Sequence, residues 1–417
     1  MRTIRSAEIV AVGSELLTPF RSDTNSLWLT EQLNAFGIEV RVKTVVGDDI
    51  HDLTSVLRQS LSRADLVITT GGLGPTADDL TREAVSEVLE RPLAPDADVL
   101  TAIRARFESR GMVMPEINAR QALVPAGAEV LVNTVGTAPG LWMEVDPQVC
   151  VLLPGPPREL QPMFLSQVAP RLDPRTGARR LRRRVIVITG KPESQVDEIA
   201  QPIYSMLAHD ALPVATTILA SPGRIELHLS ASGSDVAALD DALESGVSKL
   251  ASALGRSVVS TEGRRLEQVV ADLLLARGLR LAVAESCTGG LVLAGLTDIP
   301  GSSAWLMGGV VAYDNAVKID VLGVPAALIE AHGAVSEPVA SAMANGARQR
   351  LAADVGIGIT GIAGPAGGTP EKPVGTVVIA LEGPESVVRT FKFGGNRAMV
   401  RQFSVAAALD MLRRALN

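Results

Sequence analysis

Ala284-Glu285-Ser286-Cys287-Thr288-Gly289-Gly290, AESCTGG, follows the short apolar run Arg280 to Ala284 and precedes LVLAGLTDI, which has the length and leucine content of a helix. Strand, hydroxyl-rich turn, helix is the pattern this predicts. Such a turn puts Ser286 and Thr288 beside free backbone N–H groups at the positive end of a helix dipole, where an anion or a developing oxyanion is stabilised. The same pattern also fits a plain helix cap. A nucleophile at Ser286 needs a base, and no His is close by in sequence. About thirty residues on, VVAYDNAVK ends at Lys318, with Tyr313 five residues before it. A lysine kept neutral by desolvation can take a proton from a serine.

Working outward, DVGIGIT reads as a strand and runs into GITGIAGPAGG, Gly358 to Gly368, a glycine-rich stretch that would let backbone approach a ligand closely. Gly361 and Gly364 are its central glycines, and Gly289 and Gly290 play the same part in the first turn. FGGNRAMVR then places Arg397 and Arg401 on the first turns of a last helix, suited to a phosphate or carboxylate. Cys287 competes with Ser286 as nucleophile, a thiolate being intrinsically stronger. His332 reads as a turn residue more readily than as a base, although an imidazole titrates in the right range. Glu285 is a ligand contact or a hydrogen-bond partner of the turn, and Lys372, before Pro373, reads as a surface charge.

These segments resemble the C-terminal domain of the CinA family from about Arg265 to Asn417. AESCTGG, DIPGSSAW (Asp298 to Trp305), YDNAVK, HGAVSEPV (His332 to Val339), GITGIAGP and KPVGTV (Lys372 to Val377) carry the resemblance. It implies a nicotinamide mononucleotide deamidase of the Ser/Lys type. Ser286 would attack the carboxamide carbon, Lys318 would serve as general base and then acid, and Tyr313 and Thr288 would assist, with no cofactor. The Gly-rich loop and an Arg would hold the phosphate.

The remainder of the chain bounds what else is present. At 417 residues with 47% apolar content, two or three domains with real cores are expected. A net charge of −7 argues against general nucleic-acid binding, and three Trp with two Tyr make no stacking platform for single strands. Only Cys150 and Cys287 are present, which excludes a disulfide framework. No run is long enough for a membrane helix and the first residues do not read as a signal peptide, so a cytoplasmic protein is expected.

In the N-terminal part, AEIVAVG (Ala7 to Gly13), IEVRVKTVV and DLVITTGG read as strands separated by helices over Asp23 to Gly37 and Asp52 to Arg63. That alternation predicts an α/β domain with a mostly parallel, doubly wound sheet, binding ligands beyond the carboxyl ends of its strands. Those ends carry Glu15, then Asp23, Thr24 and Asn25, then Asp48 and Asp49. The third carries GGLGPTADDLTREA, where Gly71, Gly72 and Gly74 permit an anion-binding turn and Asp78 and Asp79 precede a helix. Asp79 reads equally well as an N-cap. A cluster of oxygen ligands at a phosphate site would suit Mg²⁺ or a similar hard cation.

GGLGPTADDLT with VGDDI resembles the molybdopterin-binding fold of MoaB and MogA proteins, in the version found at the N-terminus of full-length CinA, over about Ala7 to Pro170 and including LPGPPRELQPMF. For that version the resemblance implies an ADP-ribose pyrophosphatase dependent on a divalent cation (Mg²⁺, or Co²⁺, Ni²⁺ or Mn²⁺) and stimulated by K⁺. Asp48 and Asp79 match as metal positions, with Glu15, Asp23 and Asn25 beside them. Where the family commonly has Gly-Gln after the GxELL motif, this chain reads TPFRSDTN, which brings Arg21 near the phosphate site.

Between these parts, six arginines fall between Arg175 and Arg184, read as a solvated linker with a nucleic-acid patch as the rival. The strand, helix, strand, strand, helix order that follows is a small α+β unit similar to the KH-like middle domain of full-length CinA proteins. It lacks a GXXG loop, so a spacer or dimerisation role is expected rather than nucleic-acid binding. The expected domains are residues 1–172, 173–260 and 261–417, in a homodimer acting on nicotinamide mononucleotide and ADP-ribose. The rival readings are an adaptor that recruits a recombinase and an N-terminal domain that only binds a pterin or nucleotide.

Overall fold

The computed structural model describes residues 3–417, so the first two residues of the expected 1–172 domain lie outside it. The chain forms two compact units, one running to Arg182 and including Ser232–Leu239, the other made of Arg183–Ala231 and Asp240–Asn417.

The first unit contains β1 (Ser6–Val12), α1 (Thr24–Ala35), β2 (Glu39–Val46), α2 (Ile50–Arg63), β3 (Leu66–Thr70), α3 (Thr81–Val88), β4 (Leu93–Pro95), α4 (Ala97–Glu108), β5 (Leu123–Pro125), β6 (Glu129–Leu131), β7 (Gly140–Val145), β8 (Gln148–Leu153), α5 (Pro157–Met163) and α6 (Ala169–Leu172). Its main sheet has the order β2-β1-β3-β8-β7-β6. β2, β1, β3 and β8 are parallel, and β7 and β6 close the edge antiparallel. β1 is buried along its whole length, as expected of a strand covered on both faces. Ile9 packs with Leu29 and Leu33 of α1, whereas Val10 packs with Leu53 and Leu57 of α2, so successive residues feed the two cores. Asp23 accepts from the Ser26 N–H and Asp49 from those of His51 and Asp52, capping α1 and α2.

The arginine run is not a free linker. Arg175 pairs with Glu144 at 2.6 Å and lies 5.4 Å over the Trp142 ring, and from Arg180 the chain is already in β9 (Arg180–Ile188). Cation–π stacking and a bidentate carboxylate give these side chains partners that a solvated spacer lacks.

The middle segment continues with α7 (Glu193–Ala208), β10 (Ala215–Ser221), β11 (Arg224–Gly233), α8 (Val236–Leu254) and β12 (Val258–Ser260), a four-stranded sheet of order β10-β11-β9-β12. The rest of the chain forms α9 (Leu266–Arg277), β13 (Leu281–Glu285), α10 (Leu291–Thr297), β14 (Leu306–Val311), α11 (Asn315–Asp320), α12 (Ala326–His332), α13 (Glu337–Arg350), β15 (Val355–Gly361), β16 (Thr376–Glu382), β17 (Val387–Lys392) and α14 (Arg397–Ala415). This second sheet runs β14-β13-β15-β16-β17, parallel over its first three strands and antiparallel over the last two. On one face Leu281, Val283 and Ile357 pack with α9 and α14. On the other, Ala282 and Ala284 meet Val339 and Met343 of α13.

That second face is built from small residues. A Cβ on Gly358 would collide with the Ala340 carbonyl, one on Gly356 with that of Ala344, and one on Gly309 with the Val283 carbonyl. The glycines of GIGITG at Gly356 and Gly358 therefore let α13 lie close on the sheet. Among the described residues, no helix is long and apolar enough to cross a membrane.

Candidate functional site

Sequence places the AESCTGG turn at the carboxyl end of β13, a central strand. In the structure Glu285 pairs in register with Val311 of β14 and Ile359 of β15. Just beyond, the Ser286 N–H donates to the Ile359 carbonyl at 2.9 Å, and the Ala312 N–H donates to the Glu285 carbonyl at 2.7 Å. Lys318, on the short helix α11, is 2% exposed and donates from Nζ to the carbonyls of Ala312 at 2.9 Å and Tyr313 at 3.2 Å. Its amine thus sits at the end of the strand beside β13, flanking the turn that holds Ser286. Burial disfavours the ammonium and lowers its pKa below the ordinary 10.5, against the opposing pull of Asp314 and Cys287.

Glu285 answers the question left open by the sequence. Fully buried, it accepts hydrogen bonds from the N–H groups of Gly290 at 2.9 Å, Val292 at 3.2 Å and Leu293 at 2.9 Å. The positive end of α10 is therefore occupied by a carboxylate of the protein itself. The free helix terminus expected for a ligand anion is not there, because the chain caps its own helix. The N–H groups of Cys287 and Thr288, by contrast, donate to no oxygen among the described residues, and Thr288 Oγ1 is buried without a partner. Cys287 packs in the apolar core and its thiol is pushed up to about 11 by burial.

Two arginines of α14 bind near the site, Arg401 on the turn itself and Arg397 on the loop beside it. Arg401 Nη2 donates to the Thr288 carbonyl at 2.8 Å, while its buried Nε has no partner among the described residues. Arg397 donates to the Gly364 carbonyl at 2.8 Å and to the Tyr313 hydroxyl at 2.9 Å, tying the Gly-rich loop to the segment before α11. Gly364 has a positive φ of 80°, and a side chain there would press on Val374. Gly361 belongs to β15, where a Cβ would crowd Val377, so its smallness serves the sheet. Tyr313 is 62% exposed, with its hydroxyl on Arg397. His332 lies in the last turn of α12, and its carbonyl accepts from Lys372 Nζ at 2.7 Å. Lys372 is thus a helix C-terminal cap and not a loose charge.

In the first unit, Glu15, Asp48, Gly71, Gly72, Gly74 and Asp79 line one cavity of about 370 Å³. It lies beyond the carboxyl ends of β1 and β3, as the topology rule expects. Asp78, Gln121 and Glu159 also line it; Glu159 comes from the GPPRE helix start, whose paired prolines were the available signal. Asn25 stands at the rim, donating to the Gly155 carbonyl at 2.7 Å. Asp79 is not the N-cap of α3, which begins after Leu80 with no side-chain cap. It accepts instead from the N–H groups of Gly74 at 2.8 Å and Thr76 at 2.9 Å, and from the Thr76 hydroxyl, closing the loop on itself. Arg82, buried beneath that loop, donates to the carbonyls of Leu73 at 2.7 Å and Gly74 at 2.8 Å. Asp48 accepts from the Ser14 N–H at 2.8 Å.

Among the described residues, no three His, Cys, Asp or Glu side chains converge on a common point that would hold a metal ion. Asp79 spends both oxygens on its loop. Glu15, Asp48 and Asp79 therefore do not make a dedicated cation cage.

Comparison with known proteins matches residues 8–174 to a family described as "Probable molybdopterin binding domain" and residues 263–416 to the CinA C-terminal domain. A "CinA-like protein" of Koribacter versatilis is 45% identical over 417 residues, covering 98% of this chain and 99% of its own. One from Acidobacterium capsulatum is 45% identical over 415 residues, covering 98% and 99%. Among solved structures, the competence/damage inducible protein CihA from Agrobacterium tumefaciens is 41% identical, covering 36% of this chain and 93% of that one, with a TM-score of 0.36.

Proposed function

The chain belongs to the full-length CinA family, and on that premise we propose that its C-terminal half deamidates nicotinamide mononucleotide to nicotinate mononucleotide and ammonia. The observation that carries this is Lys318: a lysine 2% exposed, with its pKa lowered by burial and its amine held on two backbone carbonyls beside the Ser286 turn. A surface cation would have no reason to be placed so. A lysine amine kept neutral by desolvation can take the proton of a serine hydroxyl and so make it nucleophilic.

In this reading Ser286 Oγ bonds to the carboxamide carbon while Lys318 takes its proton. The oxyanion that develops is met by the N–H groups of Cys287 and Thr288, which donate to no oxygen among the described residues. Lys318 returns the proton to the amide nitrogen, the C–N bond breaks and ammonia leaves. Water, deprotonated by the same amine, then releases nicotinate mononucleotide from Ser286. Because Glu285 occupies the end of α10, the substrate phosphate falls to Arg397 and Arg401.

For the first unit we propose cleavage of the diphosphate of ADP-ribose. Support comes from the cavity that gathers the glycine loop with Glu15, Asp48, Asp78 and Glu159. Such a carboxylate-lined site repels a bare diphosphate, so the divalent cation would enter with the substrate's phosphates.

The test is ammonia release from nicotinamide mononucleotide, with and without chelator, by the parent chain and by Ser286→Ala, Lys318→Ala and Cys287→Ala. Release that survives chelator and the Cys287 change but collapses in the other two supports the proposal. A parent chain that releases nothing overturns it and favours a binding or adaptor role.

A further inference from the structure

A second concavity lies away from the AESCTGG turn, where the β9–α7 connection and the end of α8 meet the last turns of α14. Gly190, Lys191, Leu254, Arg256, Ser257 and Arg414 line a cavity of about 280 Å³. Gly190 holds it open: its φ of 75° is left-handed, and a Cβ there would stand 3.3 Å from Arg414 Nη2 and 3.5 Å from Asp410 Oδ2.

The charges around this cavity do not balance. Asp410, largely buried, accepts from Arg413 at 2.7 Å and from Arg414 at 2.7 Å, so one carboxylate serves two guanidiniums. Arg413 is consumed further by the carbonyls of Arg256 at 2.6 Å and Val258 at 3.2 Å. The side chains of Lys191 and Arg256 have no acid partner among the described residues. Three cations therefore face a cavity with a single shared carboxylate, in a chain whose net charge is −7. Concentrated positive charge of this kind attracts anions, and guanidinium forks match phosphate oxygens.

We propose that this cavity binds a small phosphorylated anion of about diphosphate size. Its volume lies near the lower end of the roughly 300–1,000 Å³ typical of drug-sized ligand pockets, which fits a small anion. The inference is independent of the deamidase proposal, since it uses none of that site's residues.

Inorganic diphosphate titrated calorimetrically into the full chain, in chelator, tests it. Lys191→Gln with Arg256→Gln is the decisive variant: both side chains are unpaired, so the fold has no need of them. We expect binding that weakens at least tenfold in this double variant and with added salt, and a binding event that survives in Arg397→Gln with Arg401→Gln, which lacks the cations proposed for the substrate phosphate. No binding at millimolar diphosphate, or affinity unaltered by the first pair, would overturn the proposal, as would loss confined to the second pair.

Discussion

Lys318 Nζ lies 2.9 Å from the carbonyl oxygen of Ala312, the residue whose own N–H is bound to Glu285 at the end of β13. The Lys318 amine is thereby anchored through its side chain on the end of the segment that follows β14, and that segment is tied to β13 by the backbone hydrogen bond from Ala312 to Glu285. Since burial lowers the Lys318 pKa below 10.5, its neutral, working form gains population at lower pH than an ordinary lysine's. Deamidation should rise with pH along a single limb whose midpoint falls below 10.5, as Lys318 loses its proton. Lys318→Ala should lose roughly 10²–10⁴-fold in kcat/KM, and Lys318→Arg should not recover it, because a guanidinium stays charged. A parent profile flat from about pH 6 to 10 would count against the assignment.

Cys287 gives the complementary expectation. With its thiol pushed up to about 11 and packed in the core, it is no nucleophile at neutral pH. Cys287→Ala should keep deamidase activity within a few-fold, and iodoacetamide should leave the native chain unmodified near pH 7. Rapid inactivation by iodoacetamide, prevented by substrate, would show the thiol to be in the site after all.

Glu285→Gln keeps the shape of the side chain but removes the charge from three hydrogen bonds to the start of α10. Hydrogen bonds to charged groups contribute about 1.5–3 kcal/mol each and are not additive, so a loss of roughly 2–4 kcal/mol is expected. Urea unfolding should show a lower midpoint with an unchanged slope. A midpoint within error of the parent would mean that the cap contributes little.

Asp79 and Asp48 separate loop closure from chemistry in the first unit. Asp79→Ala removes the acceptor for two loop N–H groups, which should cost about 1–3 kcal/mol and abolish cleavage of ADP-ribose. Asp48→Asn retains an acceptor for Ser14 and should abolish cleavage with a near-parental melting temperature. Cleavage undiminished in both variants would remove the cavity from consideration.

Gly358→Ala tests the close approach of α13. Its Cβ meets the Ala340 carbonyl, whereas one on Gly394 meets nothing within 4 Å. Overpacking should cost about 1–3 kcal/mol at Gly358 and Gly394→Ala should stay within about 0.5 kcal/mol, both read from denaturant midpoints.

How much of this was legible in the sequence depended on the range of the interaction. The parallel order of β1, β2 and β3 followed from apolar runs separated by capped helices, signals carried within a dozen residues. The AESCTGG turn and Lys318 were found as spacing, and the cavity residues Gly71, Gly72, Asp48 and Glu15 as strand ends. What escaped was set by contacts across the fold. Gly358 read as the start of a ligand loop and Gly356 as an ordinary strand residue, because only α13, drawn from another stretch, shows why they are small. Glu285 was ambiguous because its partners are N–H groups five to eight residues on, defined only once α10 has formed. The three-residue strands β4, β5 and β6 are too short to show any period.

The hydrogen bond from Ser286 N–H to Ile359 also governs when the molecule becomes competent. Seventy-three residues separate Ser286 from Ile359 of the strand that completes its turn, and parallel pairings of such span form late because the intervening chain must first be closed. As the polypeptide emerges in order, AESCTGG is exposed well before β15 exists to receive it. The serine therefore remains without a defined environment until β15 (Val355–Gly361) has been made, so that any reactivity arrives together with the fold instead of preceding it.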